Sequence, residues 1–156
     1  MTKYALLPAI AVLALMLAAR PSLATTVTVK LTGVNGVTQG GYYVDPYFGT
    51  IDSSTAILVC DDFSHDTYIN ESWQANVSTF ADLSGARFQQ GTAAATLQDY
   101  DEAAYLYGQL ISNPSDRGNI TYALWSLFTP RAASSPGFTA GALAWLNQAK
   151  TQTYYT

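Results

Sequence analysis

Apolar and polar residues alternate along the first half of this chain and recur at helical spacing along the second. From residue 25 to 32 (Thr-Thr-Val-Thr-Val-Lys-Leu-Thr) the alternation is regular and β-branched residues dominate. That pattern predicts a half-buried strand. Asn35-Gly36 and Gly40-Gly41 are turn signals. Residues 41–44 and 47–51 predict two short strands around the Asp45-Pro46 turn. Residues 56–60 form an unbroken apolar run, the pattern of a strand buried on both faces. Residues 73–80 alternate again, with Trp73, Ala75, Val77 and Thr79 on one side.

The character changes after Phe80. Residues 82–97 show little periodicity and read as an irregular connection. Residues 100–111 place Ala103, Leu106, Tyr107, Leu110 and Ile111 at helical spacing. Asp99, Asp101 and Glu102 crowd the expected first turn, where negative charge suits the helix dipole. Asn113-Pro114 ends the helix. A second helix carries Ile120, Ala123, Leu124, Leu127 and Phe128 as one apolar stripe and stops near Pro130. Gly118 leaves its start open. A third spans 138–150, with Phe138, Ala142, Leu146 and Ala149 on one face. Strands first and helices later predict an α+β fold: an antiparallel β-sandwich or barrel carrying a layer of about three helices.

Composition then changes the picture at the N-terminus. Lys3 is followed by an uncharged run over 4–19, closed by Arg20 and Pro21. Ser22-Leu23-Ala24 supplies the small residues of a cleavage site, so residues 1–24 read as a secretory signal. The run is shorter than the roughly 20 residues that span a bilayer. The expected product is an exported chain with no mature transmembrane segment and one domain over 25–156.

Charge narrows the partners. All 11 acidic residues follow the signal, against Lys30, Arg87, Arg117, Arg131 and Lys150. No basic patch is available to neutralise phosphates, which argues against nucleic acid.

Cys60 is the only cysteine, in Leu58-Val59-Cys60-Asp61-Asp62-Phe63. A lone cysteine makes no internal disulfide, even in an oxidising compartment. Two readings stand: a buried inert thiol and a reserved reactive one. Cys60 and His65 are the only thiol–imidazole pair, but a nucleophile needs its base in contact. An extended segment would point the two apart, so a secreted hydrolase ranks last.

Asp61, Asp62, Asp66 and Glu71 form the densest acidic cluster. They read as a solvated turn or as ligands for structural Ca²⁺; the spacing matches no EF-hand loop. Among 11 tyrosines and three tryptophans, Trp125 and Trp145 lie on helical stripes and read as core. Trp73, Tyr43 and Tyr47 are candidate contacts for a surface glycan or protein ligand.

The segment around Cys60 resembles the Cys-Ile-Asp segment of bacterial thioester domains. Ala103-Ala104-Tyr105-Leu106 and Ile120-Thr121-Tyr122-Ala123-Leu124-Trp125 resemble the helix pair of that family, whose pattern is Ile-Gln-x-Ala-Ile-Trp. The opening strand, the Gly-Gly-Tyr turn and residues 60–73 are also similar to exported bacterial PEP-CTERM-type proteins. The thioester resemblance implies a bond between the Cys60 thiol and a glutamine side-chain carbonyl, formed with loss of ammonia and opened by a host amine. Thr121 stands where that glutamine is expected, and it has no carboxamide. Gln109, one helix earlier, is the nearest substitute by sequence. The PEP-CTERM resemblance implies a C-terminal sorting tail, which does not follow Lys150, so a truncated frame or a released product is expected.

The expected function is an exported, non-enzymatic surface or matrix protein that adheres through non-covalent contacts. The alternative is a covalent adhesin using Cys60 and a glutamine placed elsewhere.

Overall fold

The computed structural model describes residues 25–44 and 46–152. The expected signal segment, residues 1–24, lies outside the described residues. The chain is α+β, as its pattern predicts. Strand β1 (Thr25–Gly33) lies inside a four-stranded antiparallel sheet, between β4 (Tyr47–Ile51) and β6 (Ser72–Val77). Strand β5 (Ser54–Leu58) pairs with β4, giving the order β5-β4-β1-β6. The sheet is open and does not close into a barrel. Strands β2 (Thr38–Gln39) and β3 (Tyr42–Tyr43) form a separate small hairpin.

Register decides which residues share a face. Val29 stands opposite both Ile51 and Trp73, and Leu31 stands opposite Gly49. Val29 and Leu31 are buried and project on one side; by alternation Thr28 and Lys30 belong to the other. Gly49 is required here: an added Cβ would lie 2.6 Å from the Lys30 carbonyl oxygen.

The apolar run 56–60 does not become a strand buried on both faces. It supplies the end of β5, an edge strand, and Ile57 is 52% exposed. Apolar continuity alone does not say how many layers cover a strand. Beyond Leu58 the chain leaves the sheet.

Helix α1 (Ala93–Ser112) begins well before the expected position. Thr92 caps it, its hydroxyl accepting from the Ala95 N–H at 3.1 Å. The first turn is Ala-Ala-Ala-Thr, rich in good helix formers and with no large apolar stripe to reveal it. Asp99, Asp101 and Glu102 therefore sit inside the helix and not in its first turn. Asp101 and Glu102 are buried.

Helix α2 (Arg117–Phe128) is the centre of the second half. Ile120 to Trp125 are all buried, so this helix is enclosed around its circumference instead of showing one stripe. It packs between α1 and α3 (Ala140–Ala149), with a 3₁₀ turn at Pro130–Ser134 beside it. Gly118, inside its first turn, fits because Gln39 lies where a Cβ would be. Thr139 caps α3 through its hydroxyl. Among the described residues, no helix is long and apolar enough to cross a membrane.

The β2–β3 hairpin ties the halves together. Gly40 and Gly41 take φ of 58° and 90°, the positive values a tight hairpin turn requires. Gln39 donates to the Gly137 carbonyl at 2.7 Å, and Tyr122 donates its hydroxyl to the Gln39 carbonyl at 3.3 Å. Val44, just beyond the hairpin, is fully buried in the helical core.

Candidate functional site

A cavity of about 590 Å³ lies between the inner sheet face and the segment that follows β5. Val29, Leu31 and Trp125 supply buried walls, while Tyr43, Trp73, His65 and Asp66 are exposed at its rim.

The wall formed by residues 59–66 is built by local bonds. The Asp62 carboxylate accepts from the Ser64 N–H at 2.7 Å, closing a turn. Trp125 donates its indole N–H to the Cys60 carbonyl at 2.8 Å. Phe63 inserts among Tyr42, Tyr122 and Trp125, with ring centroids 4.9, 5.9 and 5.2 Å away. These distances suit tilted aromatic packing. The segment turns, as its acidic run suggested, and Cys60 and His65 both line the cavity.

Arg87 completes the site from the irregular connection before α1. Its guanidinium meets the buried Asp62 carboxylate at 2.6 Å and lies 3.0 Å from His65 Nδ1. His65 Nδ1 is itself 2.7 Å from Asp62 Oδ2. Arg87 also sits 5.4 Å from the Phe88 ring centre. Asp62 therefore has both oxygens occupied by its own chain.

The Cys60 thiol donates to the Asp62 carbonyl at 3.2 Å. Burial pushes the thiol up to about 11; the Asp61 and Asp62 charges add to this, while Arg87 and an Asp62 backbone hydrogen bond oppose it. A nucleophilic thiol needs the opposite, a depressed value beside a base. Asp61 is also raised, first by burial and then by the Asp62 charge, against its own backbone N–H and Arg87. It additionally lines a smaller hollow of about 300 Å³ with Tyr100 and Phe128.

Most residues singled out in the sequence meet here. Cys60, Asp61, Asp62 and Asp66 line the cavity, and so do Trp73, Tyr43 and Tyr47. Glu71 does not; it accepts the Tyr68 N–H at 2.9 Å in the turn before β6. Among the described residues, no group of three or more His, Cys, Asp or Glu side chains is placed to hold a metal ion.

Thr121 is buried one turn before Trp125, and its hydroxyl donates to the Val44 carbonyl. It does not line the cavity, and neither does any described glutamine. Gln109 lies at the far end of α1, where its side-chain carbonyl accepts from Asn113 at 3.0 Å.

Sequence reasoning missed Arg87 and Phe63. Arg87 had a usable signal: all 11 acidic residues lie between Lys30 and Arg117, and Arg87 is the one lysine or arginine among them. Phe63 had none, because its role depends on the turn geometry.

No family model, curated protein or solved structure matches this chain. The resemblance to thioester domains and PEP-CTERM-type proteins therefore rests on the motif residues alone.

Proposed function

We propose that the chain is an exported, non-enzymatic surface or matrix protein that binds its ligand non-covalently in this cavity. One observation carries the reading: the sheet, the hairpin and α2 direct aromatic residues, and the turn after β5 acidic ones, into one recess of about 590 Å³. That is the size and mixed lining of a ligand site. Adhesion or matrix assembly follows if the ligand is a surface glycan or protein.

The covalent alternative draws support from α2, where Trp125 binds the Cys60 carbonyl and Thr121 lies one turn away. Against it stand the raised thiol and the absence of a described glutamine from the lining. A structural Ca²⁺ draws no support from the carboxylates, since Asp62 is engaged and Glu71 lies elsewhere.

Two measurements test the proposal. Immobilised protein is probed with surface polysaccharides and matrix proteins, before and after Trp73→Ala and Tyr43→Ala. Binding that both variants leave unchanged removes the cavity from the function. The intact mass is expected to equal that of the unmodified mature chain, with no methylamine adduct. A mass lower by one ammonia establishes the covalent reading instead.

A further inference from the structure

We propose that the cavity selects a ligand through a positively charged ammonium group, primary or N-methylated, carried on a larger uncharged body. This deepens the reading above and rests on the cavity being the binding site.

Charge is the first argument. Three aspartates line the cavity against one arginine. Arg87 is engaged with Asp62, whose other oxygen is taken by the Ser64 N–H. Asp61 and Asp66 remain in the lining without a paired cation among the described residues. Lys30 cannot help, because alternation along β1 puts it on the opposite side from Val29 and Leu31. An anionic ligand would be repelled, and a neutral one would leave the desolvation of Asp61 offset only by its own backbone N–H and the Arg87 charge.

Aromatic composition is the second argument. Tyr42, Tyr43, Tyr47, Phe63, Trp73 and Trp125 all line the same space. They come from β3, β4, β6, α2 and the turn after β5; Tyr42, Phe63 and Trp125 also pack on one another, with ring centroids 4.9 to 6.2 Å apart. Ring faces attract cations, and several rings around one ammonium are a known way to hold a group that donates few or no hydrogen bonds. Carboxylates beside the rings add long-range attraction. A neutral sugar would use the rings but gain nothing from the unpaired charge.

Size is the third argument. A tetramethylammonium ion fills only a fraction of 590 Å³. The ammonium is therefore a head group, and the rest of the ligand lies along Val29, Leu31 and the rim.

The test uses the mature chain and the intrinsic fluorescence of Trp73 and Trp125, backed by calorimetry. Tetramethylammonium and choline are titrated against the neutral isostere 3,3-dimethylbutan-1-ol and against cellobiose. The expected result is binding of both cations at least about tenfold tighter than the isostere, a preference of the size that ring and carboxylate contacts supply. Added sodium chloride should weaken the cations and leave the isostere unaffected. Asp66→Asn, at an exposed position, should weaken choline by about fivefold, and Trp73→Ala by about tenfold. Equal binding of cation and isostere overturns the proposal without needing any variant to fold. Cellobiose binding that depends on Trp73, with no cation binding, overturns charge selection and leaves the cavity reading intact. Failure of every probe to bind overturns the proposal, while the glycan and protein binding assay still decides the broader reading.

Discussion

The helical half and the sheet half of this molecule are stabilised differently. In the helical half, Leu106, Ile120, Tyr122, Ala123 and Ala142 are almost fully buried, and α2 is enclosed on all sides. In the sheet, Val29 and Leu31 are buried, but Ile51, Trp73 and Val77 on the same face are 38%, 38% and 45% exposed. One half spends its apolar surface on packing; the other leaves part of it lining a recess. Open recesses need a rigid neighbour to hold their shape, and the helical half supplies it through the hairpin and Trp125. The packed core and the proposed binding recess thus sit in different parts of the fold.

The sharpest way to break this comparison is to damage the helical half. Tyr122 is fully buried, contacts Phe63 and Trp125 through its ring, and bonds the Gln39 carbonyl. Tyr122→Ala is expected to cost about 3–5 kcal/mol, the range for deleting a large buried ring. Urea denaturation would measure it. A cost under about 1 kcal/mol would mean that α2 is not the structural centre.

Cys60 lies at the seam and gives a pH test. The folded state holds its thiol proton more tightly than the unfolded chain does, moving from 9.0 to about 11. Stability from this group is full below the unfolded value and declines as pH rises toward the folded one. The loss across that window is roughly 2–3 kcal/mol, since each tenfold gain in proton affinity corresponds to about 1.4 kcal/mol. Denaturation at about pH 8 and about pH 10.5 should show the decline in the natural chain and a weaker one in Cys60→Ala. Iodoacetamide should label native Cys60 far more slowly than the unfolded chain at about pH 8. Rapid native labelling would restore the reactive-thiol reading.

Two glycines compare how the connection before α3 and the first turn of α2 tolerate crowding. A Cβ at Gly137 would run into the Tyr122 ring, which has no room to withdraw. A Cβ at Gly118 would meet the side-chain oxygen of Gln39, whose amide nitrogen donates to the Gly137 carbonyl but can rotate away at the cost of that bond. Gly137→Ala should cost about 1–3 kcal/mol by overpacking. Gly118→Ala should cost less, because the gain in helix propensity of about 1 kcal/mol offsets the displaced Gln39. Thermal melts of the two variants side by side would show the order, and a reversed order would shift the rigid contact from Tyr122 to Gln39.

How much of this was legible in the sequence follows from the same division. Alternation located β1 and β6, because the two faces of a strand carry different residues in both. The α+β order was legible for the same reason. The start of α1 was not, since Ala93-Ala94-Ala95 fits a helix without marking a buried face. The edge position of β5 was not, since the apolar run 56–60 is the same whether one layer or two cover it. Cys60, Trp73, Tyr43 and Tyr47 were visible as chemistry, but their meeting depends on the Asp62 turn and the Arg87 contact, which join residues far apart in sequence.

The smallest expected effect lies at that edge. Phe48 and Ile57 face each other across β4 and β5 and are 45% and 52% exposed. By alternation they belong to the outer side, opposite Gly49 and Leu58. Ile57→Ala should cost under about 1 kcal/mol, because little of the side chain leaves water on folding. A double-mutant cycle with Phe48→Ala isolates the cross-strand pair, whose coupling should be about 0.2–1 kcal/mol. Additive costs would mean that the two rest separately on the surface. A coupling well above about 1 kcal/mol would mean that something covers this face in solution, such as a second copy of the chain. The mutational cost would then depend on protein concentration, which the single-domain comparison does not allow.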